Sequence, residues 1–557
     1  MRARQAIGGA AALAILAGSW TGEASPQNPP AAPAVAAVVD KVFAPWNRAG
    51  MPGCAVGVSS RGRVLHLRGY GSANLEHGVP IGPDTVFESG SVAKQFTAAA
   101  ISLLAQDGKL SLDDPARKFL PELPDFGAPI LIRHLLSHTS GLRCQWPMLT
   151  LAGRPPGSAV HTMGEILGLV SRFRELNFKP GDEHLYCNTG FTLLAVVVER
   201  VSGESLDAFC RKRIFSPLGM ERTRWRTDFA ALVEGRATAY RRDPSGEYRA
   251  DMPFTNVVGN GGLLTTVGDL LRWNDQLDRP RVGGDTLVAS LQTKARLNDG
   301  SEIDYGQGLY ILDYRGLLEV SKGGTTAGYQ AYLGRFPAEG LSIAVLCNAA
   351  DADPFGAAHR VADALLGDKL EKRPVARITD VAPGTLEGMT GYYLEKATDA
   401  LMRLEWDPKA GGLRLEGQAL LPTGDGELMT ANGNRAFSTE VGWPEGLAPA
   451  RLVERRDGGA PRRWEVQRRV RLTPAQLAAF AGNYVSEELG VVYTVFVAGE
   501  TLEIVFQPAY RLSLTPAFAD GFDGGGVTVR FTRSAAGAID GLLVTMDRAR
   551  RVRFARR

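Results

Sequence analysis

Cysteine is scarce: five in 557 residues (Cys54, Cys144, Cys187, Cys210 and Cys347), with no CxxC pair. That count excludes a disulfide scaffold and a thiolate zinc site. It leaves room for one disulfide without selecting its partners, and at least one thiol remains over. The chain also lacks HExxH. His134 and His138 are four apart, but Leu135 stands where the general base of that motif belongs, so they read as loop anchors and no metal or other cofactor is expected. There is no G-x-S-x-G elbow, which weighs against an α/β-hydrolase, and no P-loop or dinucleotide fingerprint. Gly259-Asn260-Gly261-Gly262 has neither a preceding strand nor a lysine and reads as a turn. Net charge is only +3, which gives no footprint for a nucleic-acid partner. Six arginines do fall between Arg548 and Arg557, where alternation with Val552 and Phe554 reads as the solvated end of a last strand.

Long apolar runs are missing except near the start. Arg2 and Arg4 precede an uncharged stretch, Ala6 to Gly18, and Gly22-Glu23-Ala24 suits cleavage after Ala24. This predicts a signal peptide (1–24), a periplasmic or secreted product and no stable membrane insertion. No cysteine follows at the lipid-anchor position. Oligomeric state is not legible.

The rest divides by composition. A Pro-rich linker (25–34) precedes a domain expected over 35–370. "CAVGVSS" and "RVLHLRGYG" predict a hairpin, as do "YQAYLGRF" and "LSIAVLCN" near residue 340. Helical patterns lie between them, so distant segments are expected to complete the sheet of one α/β domain, with "GAAHRVADALLGD" as a closing helix. After a linker (371–384) come short alternating strands. "TLEGMTGYYL" and "QLAAFAGNYV" form an internal repeat that places Tyr393 and Tyr484 alike, which predicts two small antiparallel β-barrels or sandwiches, 385–470 and 471–557.

One residue is oddly placed. In "FESGSVAKQFTAAAISLLAQ" the periodicity predicts a helix from Val92 to Leu104, with Lys94 in its first turn. The positive end of the helix dipole disfavours a cation there. Lys94 follows Ser91 by three residues, the only such pair in the chain, so both side chains share a face. A serine hydroxyl needs a base, and a lysine held neutral by burial and the dipole can serve. The free N–H groups of the helix start lie where an oxyanion would form. Tyr186-Cys187-Asn188 is the only Tyr-x-Asn; its phenol could pass a proton to a leaving group and its amide could hold substrate and lysine. In Lys322-Gly323-Gly324-Thr325 the glycines bare a strand edge for a peptide-like substrate. There Lys322 adds positive charge and the Thr325 N–H could complete an oxyanion hole.

S-x-x-K opening a helix, Tyr-x-Asn about a hundred residues on and Lys-Gly-Gly on a late strand together resemble the penicillin-recognising serine hydrolases: class C β-lactamases, D-Ala-D-Ala carboxypeptidases, D-aminopeptidases and related esterases. "IRHLLSHTSGL", "FKPGDEHLYCNTG" and "GGLLTTVGDLLRW" agree. The resemblance covers about Val35 to Leu370 and implies an α/β, β-lactamase/transpeptidase-like fold with an acyl-enzyme on Ser91, its protons managed by Lys94 and Tyr186. Asn188, Lys322, Gly323, Gly324 and Thr325 would bind a small peptide or acyl substrate. The barrel tail resembles that of bacterial D-aminopeptidases, in which a barrel loop reaches the active site. That branch usually has histidine where Lys322 stands, and a lysine there favours a carboxylate-bearing substrate. The same family holds carboxypeptidase, esterase and β-lactamase alternatives. A non-catalytic penicillin-binding or peptide-sensing protein is a reading from another class, and it would have no use for Lys94 as a base.

Overall fold

The computed structural model describes residues 32–372, 378–423, 426–430, 435–439, 443, 449–456, 461–507 and 510–557. The signal peptide lies outside them. Helix α1 (Ala32–Phe43) already starts inside the expected linker, with Pro33 in its first turn, where a missing N–H costs nothing. Strands β1 (Cys54–Ser60) and β2 (Arg63–Tyr70) form the first hairpin. The other four strands of the sheet come some 240 residues later: β3 (Tyr310–Tyr314), β4 (Leu317–Thr326), β5 (Tyr329–Phe336) and β6 (Leu341–Cys347). The order is β3-β4-β5-β6-β1-β2, antiparallel throughout.

β1 and β6 pair at the centre and are buried at every position, because both faces are covered. Val56, Val58, Ile343 and Val345 face α1 and the closing helix Pro354–Leu366. Ala55, Ala344 and Leu346 face the helical lobe. In that lobe lie α2 (Lys94–Gln106), α3 (Asn188–Ser202) and α4 (Val267–Asp278), whose Phe96 and Trp273 stack at 4.6 Å. The register sets Cys54 opposite Cys347, and a disulfide joins them. Cys144, Cys187 and Cys210 are free and buried.

Two closed eight-stranded barrels follow, Gly391–Gln467 and Gly482–Arg556. The repeated tyrosines do the same job in each: the Tyr393 hydroxyl donates to the Met389 carbonyl (2.8 Å) and the Tyr484 hydroxyl to that of Phe480 (2.7 Å). Each latch ties a short helical turn to the first strand of its barrel. The first barrel keeps its own core, around Leu404, Leu428 and Trp464. The core of the second, with Tyr484, Tyr493 and Phe554, is continuous with that of the helical lobe.

Candidate active site

A 3₁₀ turn, Gly90–Ala93, precedes α2, so the α-helix begins at Lys94 itself rather than at Val92. Ser91 is the second residue of this helical segment, and its N–H is one of the first few that have no intrahelical partner. Two glycines let β4 approach the turn. A Cβ at Gly324 would sit 2.1 Å from the Ser89 carbonyl oxygen, and one at Gly90 (φ +52°) 2.6 Å from the Thr325 nitrogen. Pairing with β3 stops at Ser321, so from Lys322 to Thr326 one edge of β4 is free of strands and faces the Ser91 turn. The Ser91 and Thr325 nitrogens therefore flank one point.

Lys94 is fully buried. Its Nζ donates to Asn188 Oδ1 (2.8 Å) and to the Asn260 carbonyl (2.6 Å), and lies 3.1 Å from Ser91 Oγ. Burial holds its pKa well below the ordinary 10.5, and the nearby charges of Lys322 and Arg548 push the same way. A neutral amine has two N–H donors and one lone pair. Here the two donors match the two carbonyl oxygens, and the lone pair is left for the Ser91 hydroxyl.

Tyr186 lies across the same site. Its buried hydroxyl comes close to Ser91 but completes no hydrogen bond of good geometry. Burial raises its pKa, which keeps the phenol protonated. His138 positions this loop: its Nδ1 accepts from the Cys187 N–H (3.1 Å), its ring lies 4.2 Å from that of Tyr186, and its Nε2 is 3.0 Å from the Tyr305 hydroxyl. Asn188 opens α3 and holds Lys94. The Lys322 ammonium lies 4.8 Å from the Tyr186 ring centroid and 5.1 Å from that of Tyr310, and burial lowers its pKa to about 7. Thr325 is fixed by its side-chain bond to Gln330 (2.7 Å). All eight residues singled out in the sequence thus belong to one region, most of them lining a cleft of about 830 Å³ whose outer wall includes Trp146, Met252, Phe254 and Phe355.

Two contributors were missed. The Gly259–Gly262 segment is a turn, but one whose Asn260 carbonyl holds Lys94. Arg548 is not at a solvated strand end. It sits in the two-residue turn between strands Ile539–Met546 and Ala549–Arg556 of the second barrel and lines the cleft, its guanidinium 5.7 Å from the Tyr186 ring centroid. Its neighbours are occupied too: Arg550 pairs with Glu183 and Arg551 with Asp399. The readable signal was the Asp547-Arg548 turn between two alternating strands.

The Beta-lactamase family model matches residues 35–368, well over half of the chain. The chain belongs to the Beta-lactamase family. As a member of that family it is a serine hydrolase, and its penicillin-recognising fold carries two barrels behind the catalytic domain. It is 30% identical over 440 residues to a D-aminopeptidase of Gluconobacter oxydans, covering 79% of this chain and 80% of the relative. Against a D-aminopeptidase of Brucella canis it is 26% identical over 525 residues, 91% of this chain and 96% of that one. Among solved structures, an octameric penicillin-binding protein homologue from Pyrococcus abyssi shares the fold with a TM-score of 0.55 at 24% identity, over 86% of this chain and 99% of that one. Among the described residues, no helix is long and apolar enough to cross a membrane.

Proposed function

We propose that this family member is an exported hydrolase that forms an acyl-enzyme on Ser91 and cleaves amide or ester bonds in D-amino-acid peptides or related small acyl compounds. The observation that carries the reading is the buried Lys94 amine, with two carbonyl acceptors and the Ser91 hydroxyl around it. Lys94 takes the Ser91 proton as Oγ attacks the substrate carbonyl. The Ser91 and Thr325 N–H groups receive the developing oxyanion, and Asn188 steadies Lys94 and the substrate amide. Tyr186, still a phenol, passes a proton to the leaving group and takes in its place the one that Lys94 holds. Water then attacks the acyl carbonyl as the neutral Lys94 takes its proton and returns it to Ser91 Oγ, which departs from the acid. The D-aminopeptidase relatives support the choice of D-amino-acid substrates. Lys322 supports a second reading, a carboxypeptidase of the same family, because a cation beside the bared strand edge suits a carboxylate.

Export is supported by the leader-like N-terminus and by the Cys54–Cys347 disulfide, which fits an oxidising compartment. The test of the reading is covalent. A fluorophosphonate probe is expected to label wild type once per chain, on the peptide holding Ser91, and to leave Ser91→Ala unlabelled. Equal labelling of Ser91→Ala would overturn the nucleophile. Labelling of wild type without turnover of any ester or D-amino-acid amide would favour a binding protein.

A further inference from the structure

We propose that Arg548, delivered by the second barrel, acts with Lys322 as a specificity-determining residue that selects substrates whose leaving group carries a carboxylate and rejects those whose leaving group carries an amine. The proposal rests on the Ser91 reading above and adds the substrate's charge to it.

The first ground is a pair of basic groups on one ring. Lys322 and Arg548 lie 4.8 and 5.7 Å from the centroid of the Tyr186 ring. Lys322 is buried, and its hydrogen bond goes to the carbonyl of its own neighbour, Gly323, at 3.2 Å. Arg548 gives its Nε hydrogen to Asp547, whose carboxylate is half exposed to solvent. Among the described residues neither terminal amino group of Arg548 has a protein acceptor, which leaves the fork free for a bidentate anion. The acids that line the cleft do not answer this charge. Glu88 is held by Arg226 and Arg236, Asp353 caps the closing helix through Gly356, and Asp251 sits on the wall with Met252 and Phe254.

The second ground is placement. Both groups flank the phenol positioned to protonate the leaving group, so an anion satisfying them belongs to the leaving-group half of the substrate. The unpartnered Tyr186 hydroxyl points to the same half.

The third ground is rigidity. The Arg548 carbonyl accepts from the Cys144 N–H (3.1 Å) and from the Asn177 side chain (3.0 Å), which pins the turn to the catalytic domain. Next to it, the buried Arg143 binds both Glu488 oxygens at 2.6 Å and reaches the Arg550 and Arg551 carbonyls. A turn anchored this firmly presents its side chain at a fixed place. Like charges in a partly desolvated cleft repel, so an ammonium-bearing leaving group would add a third cation where a carboxylate relieves two.

The test is a matched series of N-acetyl-D-alanine thioesters with thioglycolate (−1), thioglycolamide (0) and thiocholine (+1) as leaving thiols. The readout is the ratio of kcat/KM for the anionic over the cationic thioester. Wild type is expected to favour thioglycolate by about tenfold or more, and Arg548→Glu to lower that ratio by at least about tenfold. Arg553→Ala, a charge lost from an exposed site on the strand that follows the turn, is expected to keep it. A wild type that prefers the thiocholine ester, or a ratio that stays within about threefold in Arg548→Glu, would overturn the proposal. Fluorophosphonate labelling of Ser91 in the same preparations separates the two claims. Labelling with an unchanged ratio removes only the role of Arg548, whereas an unlabelled wild type removes the hydrolase reading beneath it.

Discussion

In both barrels a tyrosine at the head of the first strand donates to the carbonyl four residues before it, and in both eight strands close without an edge. Their surroundings then diverge. The first barrel buries Leu404, Leu428 and Trp464 in a core of its own, and meets the second through a small patch of Tyr392, Leu394, Ala517 and Phe518. The second shares its core with the helical lobe, donates from Tyr493 to the Leu151 carbonyl, and puts Arg548 in the cleft. Charge follows the same division. Arg530 and Arg551, toward the first barrel, both find Asp399, while Arg548, toward the cleft, pairs with its neighbour Asp547. Two copies of one fold have thus become a satellite and a wall of the active site. The difference lies in what their turns and outer faces meet rather than in how their strands are paired.

The largest break in this comparison is expected from Arg143→Ala. It strands the buried Glu488 carboxylate in the joint between barrel and lobe, at a cost of about 3–5 kcal/mol in urea unfolding, with activity lost alongside. A smaller effect, of opposite sign, is expected from Lys322→Met. With a folded pKa of about 7 against an ordinary 10.5, Lys322 charged and buried opposes folding most strongly below pH 7. The penalty shrinks as pH rises from 7 to 10.5, where the unfolded chain also loses the proton. The variant should therefore melt several degrees above wild type at pH 6, with the gain fading toward pH 10.5. An equal gain at both pH values would mean that packing rather than charge was relieved.

Asp399→Asn loosens the two barrels from each other. Its arginine partners are about one-third exposed, so a loss of about 1 kcal/mol is expected, with kcat/KM nearly unchanged. A large drop in activity would make the first barrel more than a satellite. The finest probe is the pair Tyr393→Phe and Tyr484→Phe. Each removes one buried hydrogen bond, worth about 1 kcal/mol. Only Tyr484→Phe should lower the transition in which activity is lost, as followed by residual hydrolysis after heating.

Much of the catalytic side was legible because its signals are local. The Ser91–Lys94 spacing lies on one helical segment, Tyr186 and Asn188 sit on one loop, and Lys322 to Thr325 run along one strand. The two hairpins and the tyrosine repeat could be read for the same reason. Asn260 and Arg548 could not be placed. Asn260 acts through its carbonyl, to which the identity of the side chain is blind. Arg548 reaches the cleft only after a barrel has closed and docked, across hundreds of residues of chain. The disulfide was hidden in the same way, since its partners become neighbours only in the register of β1 and β6. The arginine-rich end misled because alternation reports which side chains leave the barrel and not what lies outside it.

The account turns on Lys94 being a neutral amine in the resting enzyme, and the pH dependence of kcat/KM on an uncharged D-amino-acid ester tests this most directly. Lowering of the Lys94 pKa means that the free base is present well below pH 10.5. The predicted profile rises through an acidic limb and levels off well below pH 10.5. A rate that instead climbs about tenfold per pH unit up to the ordinary lysine value would contradict Lys94 as the base that activates Ser91.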